Sequence, residues 1–147
     1  KDYGVHFHAS FVFGFDDDTK DTFYETLHFL NRNKIGTASF NILTPYPGTE
    51  LYNRLKRENR IISEDWKYYD HNTVVFRPKK MTAHELFEGR IWIRKEFTKA
   101  SSTLKRLPGN LSHPLIHLLL NRGARKSLKD EIHNHVKKKI QMKHIDA

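Results

Sequence analysis

Apolar residues in the first third of the chain change from strand-like to helix-like spacing. Val5–Phe15 is rich in aromatic and β-branched residues and reaches Gly14, which predicts a strand, with residues 11–13 buried on both faces. The acidic run 16–18 then precedes apolar residues at steps of four and three, which predict one helix face: Phe23, Leu27 and Leu30. Gly36 is placed to end this helix.

The same order of elements repeats once. Thr37–Thr44 predicts a second strand, Pro45–Thr49 a stiff loop, and residues 50–59 a second helix. Strand, helix, strand and helix with short connections favour two parallel strands joined by a right-handed crossover.

The second half predicts helices only. Thr82 and Glu85 form a capping-box pattern that starts a helix over residues 83–104, and Pro108-Gly109-Asn110 breaks it. A short apolar segment, 114–121, is ended by Gly123, and an amphipathic helix spans residues 124–140 through Leu128, Ile132, Val136 and Ile140. We therefore expect an α/β part over residues 1–80 and an all-α extension over residues 81–147.

Two parallel strands alone do not make a stable sheet, because their edges and faces need cover. We therefore expect the chain to be a piece of a larger α/β domain, or to pair with a second copy through an exposed sheet edge. The first residues, Lys1-Asp2-Tyr3-Gly4, contain neither an initiator Met nor an apolar signal segment, which also indicates a piece of a longer protein.

Composition limits the kinds of functional site that the chain can form. The chain has no Cys, which excludes disulfides, thiolate metal sites and cysteine nucleophiles and fits the cytosol. No apolar run is long enough to predict a membrane span. Residues 1–75 carry 9 Lys+Arg and 11 Asp+Glu, whereas residues 76–147 carry 17 and 6. The basic second half is either a solvated helical surface or one that attracts nucleic acid, a membrane or an acidic partner.

Candidate binding residues follow both predicted strands. The segment Ser10–Asp17 and the loop from Pro45 would lie at the carboxyl edge of the sheet, where α/β folds bind ligands. A plain capped junction and a rigid turn are the alternatives. His8 is of interest because its strand would face a barrel interior. His113 and His117 stand four residues apart but lack a third ligand nearby in sequence, so no metal site is expected.

Several sequence blocks together resemble one family. They are Phe11–Thr19, Phe40–Leu51 with Thr-Pro-Tyr-Pro-Gly-Thr, Arg60-Ile61, Asp65–Asp70, and Val75–Thr82. They resemble radical S-adenosylmethionine proteins with a cobalamin-binding domain, the group of hopanoid methylases and the anaerobic protoporphyrin ester cyclase. The resemblance covers roughly residues 5–90, and the remaining helices resemble the carboxyl-terminal helical extension of the same proteins.

The resemblance implies that the chain is a remnant of a partial (β/α)₆ barrel, holding its fifth and sixth strands. A family pattern of Gly-x-Ile-x-Gly-x-x-Glu near the adenine falls on Ser10, Val12, Gly14 and Asp17, where Ser10 and Asp17 depart from it. Backbone groups near Leu43 and Thr44 would also pass the adenine.

The resemblance also implies what the chain lacks. The family holds a [4Fe–4S] cluster on Cys-x-x-x-Cys-x-x-Cys, and this chain has no Cys. We expect a carboxyl-terminal fragment that forms part of a pocket wall for S-adenosylmethionine and a small-molecule substrate. It would be inactive without the amino-terminal half, which carries the cluster and the cobalamin, and would bind no cofactor alone. The alternatives are a basic interaction module for nucleic acid or an acidic partner, and a small α/β protein with its own ligand at the Gly14 and Pro45 loops.

Overall fold

The computed structural model describes residues 7–145, with side chains through residue 133. The elements are β1 His8–Phe13, α1 Asp21–Arg32, β2 Thr37–Ile42, α2 Glu50–Arg57, α3 Ala83–Phe97, α4 Ala100–Arg106 and α5 Pro114–Ile145, with 3₁₀ turns at Trp66–Tyr68 and Leu107–Gly109. The predicted strand start at Val5 and the side chains of Val136 and Ile140 lie outside the described residues, as do those of the basic residues 137–139 and 143.

The two strands are parallel and adjacent, which confirms the predicted βαβ order. Residue pairing runs from His8 opposite Thr37 to Phe13 opposite Ile42. Every second side chain of this sheet points towards the helices. These side chains and those of the helices and of the segment before α3 form one core: Ala9, Phe13, Phe23, Leu30, Phe40, Ile42, Leu55, Phe76, Met81, Leu86, Ile93 and Phe97. Leu86, Ile93 and Phe97 belong to α3, so this helix shares its core with the strands. The division at residue 80 stays a prediction.

The first strand is buried on one face only, so the expectation of burial on both faces is wrong for this chain. Phe13 is 2% exposed, whereas its neighbour Val12 is 42% exposed. The reason is that successive side chains of a strand point to opposite faces, and the helices of the described chain cover only one of them.

The predicted helix over residues 83–104 is two helices. The capping box is present: the Thr82 hydroxyl accepts from the Glu85 amide, and the Glu85 carboxylate accepts from the Thr82 amide. α3 ends at Phe97, and the hydroxyl of the next residue, Thr98, donates to the Arg94 carbonyl at 2.8 Å. The break at Lys99 redirects α4, which turns the buried Ser102 towards α1, where its hydroxyl lies 2.9 Å from Asn31 Oδ1.

Gly123 does not end a helix, contrary to the sequence prediction, because α5 continues through it. Its neighbours on the inner face, Asn121 and Leu128, are 4% exposed and anchor the helix on both sides of the glycine. Packing by these residues outweighs the roughly 1 kcal/mol preference of glycine for non-helical backbone.

None of the helices within residues 7–145 is long and apolar enough to cross a membrane.

The continuous helix makes Gly123→Ala a stabilising change. A Cβ atom added at residue 123 meets no atom within 4 Å, and the backbone is already helical. We expect the free energy of unfolding to rise by about 0.5–1 kcal/mol, since alanine restricts the unfolded chain. Urea denaturation followed by circular dichroism measures the change, and a loss of stability would contradict a helix through this position.

Two buried arginines fasten the last helices to the α/β part. Arg90 of α3 donates from Nε to the Phe40 carbonyl of β2 at 2.8 Å and from Nη1 to Glu131 of α5 at 2.5 Å. Arg106 of α4 lies 3.6 Å from the ring centroid of Phe97. It also donates to oxygen acceptors on α1, α4 and α5: Asn31, Ser102 and Asn121. Burial lowers the pKa of both guanidinium groups to about 10, so both stay protonated at neutral pH.

Candidate functional site

The face of the sheet that turns away from the helices is polar. It carries six side chains in three lateral pairs, which are His8 with Thr37, Ser10 with Ser39, and Val12 with Asn41. We call this surface the open face. His8, Ser10 and Val12 are exposed, and Ser39 and Asn41 are half-buried. Parallel sheets are normally covered on both faces, so the uncovered open face is the first candidate for ligand contact.

His8 connects the two strands across the open face. Its Nδ1 lies 3.0 Å from Thr37 Oγ1, and its Nε2 lies 2.7 Å from Ser39 Oγ. Farther along, Asn41 Nδ2 donates to Ser10 Oγ at 3.3 Å. The ring and the hydroxyls can exchange donor and acceptor roles, because a hydroxyl hydrogen rotates to suit its partner. The open face therefore offers adaptable hydrogen bonds around one apolar side chain, Val12.

The open face ends at a rim formed by Gly14 and Leu43. Gly14 has φ +109°, a conformation that favours glycine, and a Cβ added there would lie 3.6 Å from Leu43 Cβ. The Leu43 amide donates to the Phe13 carbonyl at 2.8 Å, so it continues the ladder between the strands. The Thr44 hydroxyl donates to the Ile42 carbonyl at 3.1 Å. Both predicted rim segments thus emerge side by side at the carboxyl ends of the strands.

The three consecutive acids after the rim have three different environments. Asp18 Oδ2 accepts from the amides of Gly14 at 2.7 Å and Phe15 at 3.0 Å, so these amides are occupied within the loop. The Asp17 side chain is 96% exposed and pairs with Lys80 at 3.0 Å. Asp16 turns inwards. Of the predicted binding residues, Ser10 and Val12 therefore lie on the open face and Gly14, Leu43 and Thr44 at its rim, whereas Asp17 points to solvent.

Asp16 ties the rim loop to the segment that follows α2. Its carboxylate lies 2.9 Å from Arg60 Nη1, 3.2 Å from Arg54 Nη1 and 3.2 Å from Lys79 Nζ. Burial raises the pKa of the carboxyl, but hydrogen bonds from Arg60 and Lys79 outweigh it, and the pKa falls below its ordinary value of 3.8. The ion pairs between the cationic cluster and this loop therefore require the ionised form of Asp16.

The pH dependence of stability tests this anchor. Because the folded-state pKa of Asp16 is lowered, its contribution is complete above pH 3.8 and is lost as the pH falls through the folded-state value. We expect Asp16→Asn to be less stable than the wild type near neutral pH, and the difference to shrink below pH 3.8. Urea denaturation at both pH values measures this, and a difference independent of pH would contradict it.

Aromatic residues build the wall beside the second rim segment. The Tyr46 hydroxyl lies 3.0 Å from His71 Nε2 and donates to the Tyr69 carbonyl at 3.3 Å. The His71 carbonyl in turn accepts from the Ile42 amide at 2.8 Å, on the edge of β2 that faces away from β1. Tyr69 is 7% exposed, whereas Trp66, whose ring centroid lies 5.8 Å from that of Tyr69, is 64% exposed.

Sequence reasoning missed Thr37, Ser39, Asn41 and Asp18. The partners of His8 stand 29 and 31 residues away along the chain, and only the register of the strands brings them together. His113 and His117, where no metal site is expected, belong to a different region of the fold. His117 Nε2 lies 3.1 Å from the Thr103 carbonyl oxygen. Among the side chains that the structure describes, no three potential metal ligands cluster.

The chain is similar to curated methyltransferases and cyclases. It is 37% identical over 121 residues to the bacteriochlorophyllide d C-12(1)-methyltransferase of Chlorobaculum tepidum. This match covers 79% of this chain and 25% of that protein. It is 31% identical over 81 residues to the anaerobic magnesium-protoporphyrin IX monomethyl ester cyclase of Cereibacter sphaeroides, 55% of this chain and 13% of the relative. It is 32% identical over 63 residues to the hopanoid C-2 methylase of Rhodopseudomonas palustris, 43% of this chain and 12% of the relative.

The chain thus spans a quarter or less of the length of these relatives. No protein-family model and no solved structure matches it.

Proposed function

We propose, from the premise that this chain belongs to the radical S-adenosylmethionine family of methylases and cyclases, that it forms the last two strands and the helical extension of such an enzyme's barrel. In this proposal the open face lines the pocket that takes S-adenosylmethionine and a small-molecule substrate. The whole enzyme transfers a methyl group or closes a ring on its substrate, as the names of the relatives suggest.

The observation that carries the proposal is the asymmetry of the sheet. The helices cover one face, and polar side chains line the other. The outer edge of β2 is occupied by the His71 carbonyl, whereas within residues 7–145 β1 pairs with β2 alone. A barrel has its helices outside and its side-chain-lined interior on the opposite face of the strands. The free edge of β1 is then the place where the preceding strand of the barrel pairs.

The residues of the open face fit the nucleoside part of S-adenosylmethionine. Hydroxyl and amide groups at Ser10, Ser39 and Asn41 suit ribose hydroxyls and adenine ring nitrogens, and Val12 offers an apolar contact to a flat base. Gly14 and Leu43 end the same face at the carboxyl rim, where ligands of α/β folds bind. When bound, S-adenosylmethionine would supply the radical chemistry, and this chain would supply contacts and orientation.

The residues of this chain do not fit the iron–sulfur cluster. A [4Fe–4S] cluster is held by cysteine thiolates, and the chain contains none. We infer that a preceding segment provides the cluster and a separate domain the cobalamin, and that the chain alone is inactive. The amino-terminal half of the same enzyme is then its first partner, and a dimer of the isolated chain through the β1 edge is the competing arrangement. We place the enzyme in the cytoplasm, because radical clusters of this kind need a reducing compartment.

Anaerobic reconstitution of the longer protein with iron and sulfide tests the proposal. We expect a brown protein that cleaves S-adenosylmethionine when it is reduced, while the 147-residue chain, treated in parallel, stays colourless. A longer protein that takes up no iron, or that holds a cluster and leaves S-adenosylmethionine intact, would overturn it. Calorimetry of the isolated chain with S-adenosylmethionine is expected to show weak binding or none, since most of the pocket is missing.

A further inference from the structure

The outward face of the first turns of α5 exposes a group of large apolar side chains. Leu115 is 73% exposed and Leu119 is 67% exposed, and Ile116 and Leu118 lie beside them, also exposed. Leu111, just before the helix, is 66% exposed. We call these five residues the leucine patch. A group of exposed apolar side chains close together in the chain marks an interaction site more often than does a single exposed leucine.

The orientation of α5 is fixed by its opposite face. His117, Asn121 and Leu128 are each at most 4% exposed. Asn121 Nδ2 donates to the Gly36 carbonyl at 3.0 Å, which holds this side of the helix against the start of β2. Residues four positions apart lie on one face of a helix, so Leu115 and Leu119 share a face. This face is opposite the one that buries His117, so the two leucines point away from the body of the protein. Within the described residues, the packing of the opposite face of α5 therefore makes the leucine patch face outwards.

Cations continue the outward face beyond the leucine patch. Arg122 and Lys126 are exposed and follow Leu119 at helical spacing, about 4.5 and 10 Å farther along the axis. Residues 122–129 of α5 contain four Lys or Arg and no Asp or Glu. Leucines at one end and cations at the other give this surface an apolar part and a strongly positive part.

We propose that the leucine patch, together with Arg122 and Lys126, docks the protein on the surface of an anionic lipid bilayer. The leucines enter the boundary between headgroups and acyl chains, and the cations bind lipid phosphates beside them. α5 lies on the bilayer in this arrangement and does not cross it. The proposal concerns a surface outside the open face and does not depend on the function proposed there.

The charge pattern favours lipid over other occupants. A second copy of the chain would bring the same cations against one another, which costs energy. Single-stranded nucleic acid is bound through aromatic side chains that stack on bases, and residues 98–147 contain no Phe, Trp or Tyr. Anionic lipid meets both parts of the surface, since it offers hydrocarbon to the leucines and phosphates to the cations.

Vesicle sedimentation of the full chain tests the proposal. We expect binding to vesicles of phosphatidylcholine and phosphatidylglycerol in equal parts, and little to phosphatidylcholine alone. Leu115→Ser combined with Leu119→Ser is expected to weaken binding on the order of 100-fold, because two leucines no longer transfer from water. Both sites are exposed, and an unchanged circular dichroism spectrum confirms that the variant is folded.

A matched pair of charge reversals tests the cationic part. Arg122→Glu is expected to weaken binding about tenfold or more, since one attraction is lost and one repulsion gained. Arg57→Glu makes the same change of charge on the exposed surface of α2 and is expected to have little effect. Equal losses in both variants would mean that net charge alone drives binding, and would overturn the proposal.

A site-specific label then shows whether the leucines enter the bilayer. Because the chain has no Cys, Leu119→Cys carries a single environment-sensitive dye, whose emission is expected to shift to the blue on anionic vesicles. The same dye at Arg57→Cys is expected not to shift. Absence of vesicle binding would overturn the lipid assignment. So would binding to duplex DNA, or self-association, that is abolished by the two serine substitutions.

Discussion

Gly14→Ala is expected to lower the free energy of unfolding by about 2–5 kcal/mol, through two costs that act together. The backbone at residue 14 has φ +109°, which strains a residue with a side chain. The added Cβ would also lie 2.9 Å from Leu86 Cδ2 and 3.0 Å from Phe76 Cζ. Both neighbours are fully buried in the core, so neither can move without opening it.

Gly48→Ala separates these two costs. Gly48 also has a positive φ, +89°, but a Cβ added there meets no atom within 4 Å. We expect this variant to lose only the strain, about 1–2 kcal/mol. Urea denaturation of both variants gives the comparison. Equal losses would mean that the rim of the open face is not packed against α3 as the structure has it.

Arg90→Ala is expected to lower the free energy of unfolding by about 3–5 kcal/mol. Arg90 is 2% exposed and donates to the Phe40 carbonyl, to Glu131 and to Asn72. Its removal takes this donor from the Phe40 carbonyl and the Asn72 side-chain oxygen and leaves the Glu131 carboxylate with Arg94 alone. Because the three acceptors belong to β2, the segment after residue 70 and α5, one substitution loosens three parts of the fold.

Two variants give this prediction its controls. Arg57→Ala removes an exposed arginine from α2 and is expected to change stability by no more than about 0.5 kcal/mol. Arg90→Lys keeps the charge but cannot donate to three acceptors in one plane, so we expect only partial recovery. A loss of less than about 1 kcal/mol for Arg90→Ala would show that α5 is held by its apolar contacts and not by this buried cation.

Local pattern and capping chemistry were enough to predict the first four elements. The aromatic and β-branched residues of segment 5–15 predicted β1, and the order of elements with short connections made the two strands parallel, as the structure confirms. Thr82 and Glu85 marked the start of α3 correctly because a capping box is a purely local arrangement. The predicted helix end at Gly123 was wrong because it depends on non-local packing: burial of Asn121 and Leu128 against distant parts of the chain decides whether the helix continues.

The open face could be predicted only in part. Ser10 and Val12 share a face by simple alternation, but their neighbours Ser39 and Asn41 depend on the register of β2. The three acids at 16–18 are equivalent in sequence, and the turn after Gly14 decides that Asp18 caps the rim amides while Asp17 points to solvent. Arg106 gave no sequence signal of burial, because its oxygen partners come from three separate helices.

The affinity of the cluster-loaded longer enzyme for S-adenosylmethionine tests most directly whether the open face lines its pocket. Val12→Lys puts a cation on this face, whereas Phe29→Lys makes an equally large change on α1, behind the sheet, at a residue that is 51% exposed. We expect Val12→Lys to raise the dissociation constant at least about tenfold, because S-adenosylmethionine is itself cationic, and Phe29→Lys to leave it unchanged. Unaltered affinity in Val12→Lys, with the cluster absorption intact, would contradict the assignment of the open face to the pocket.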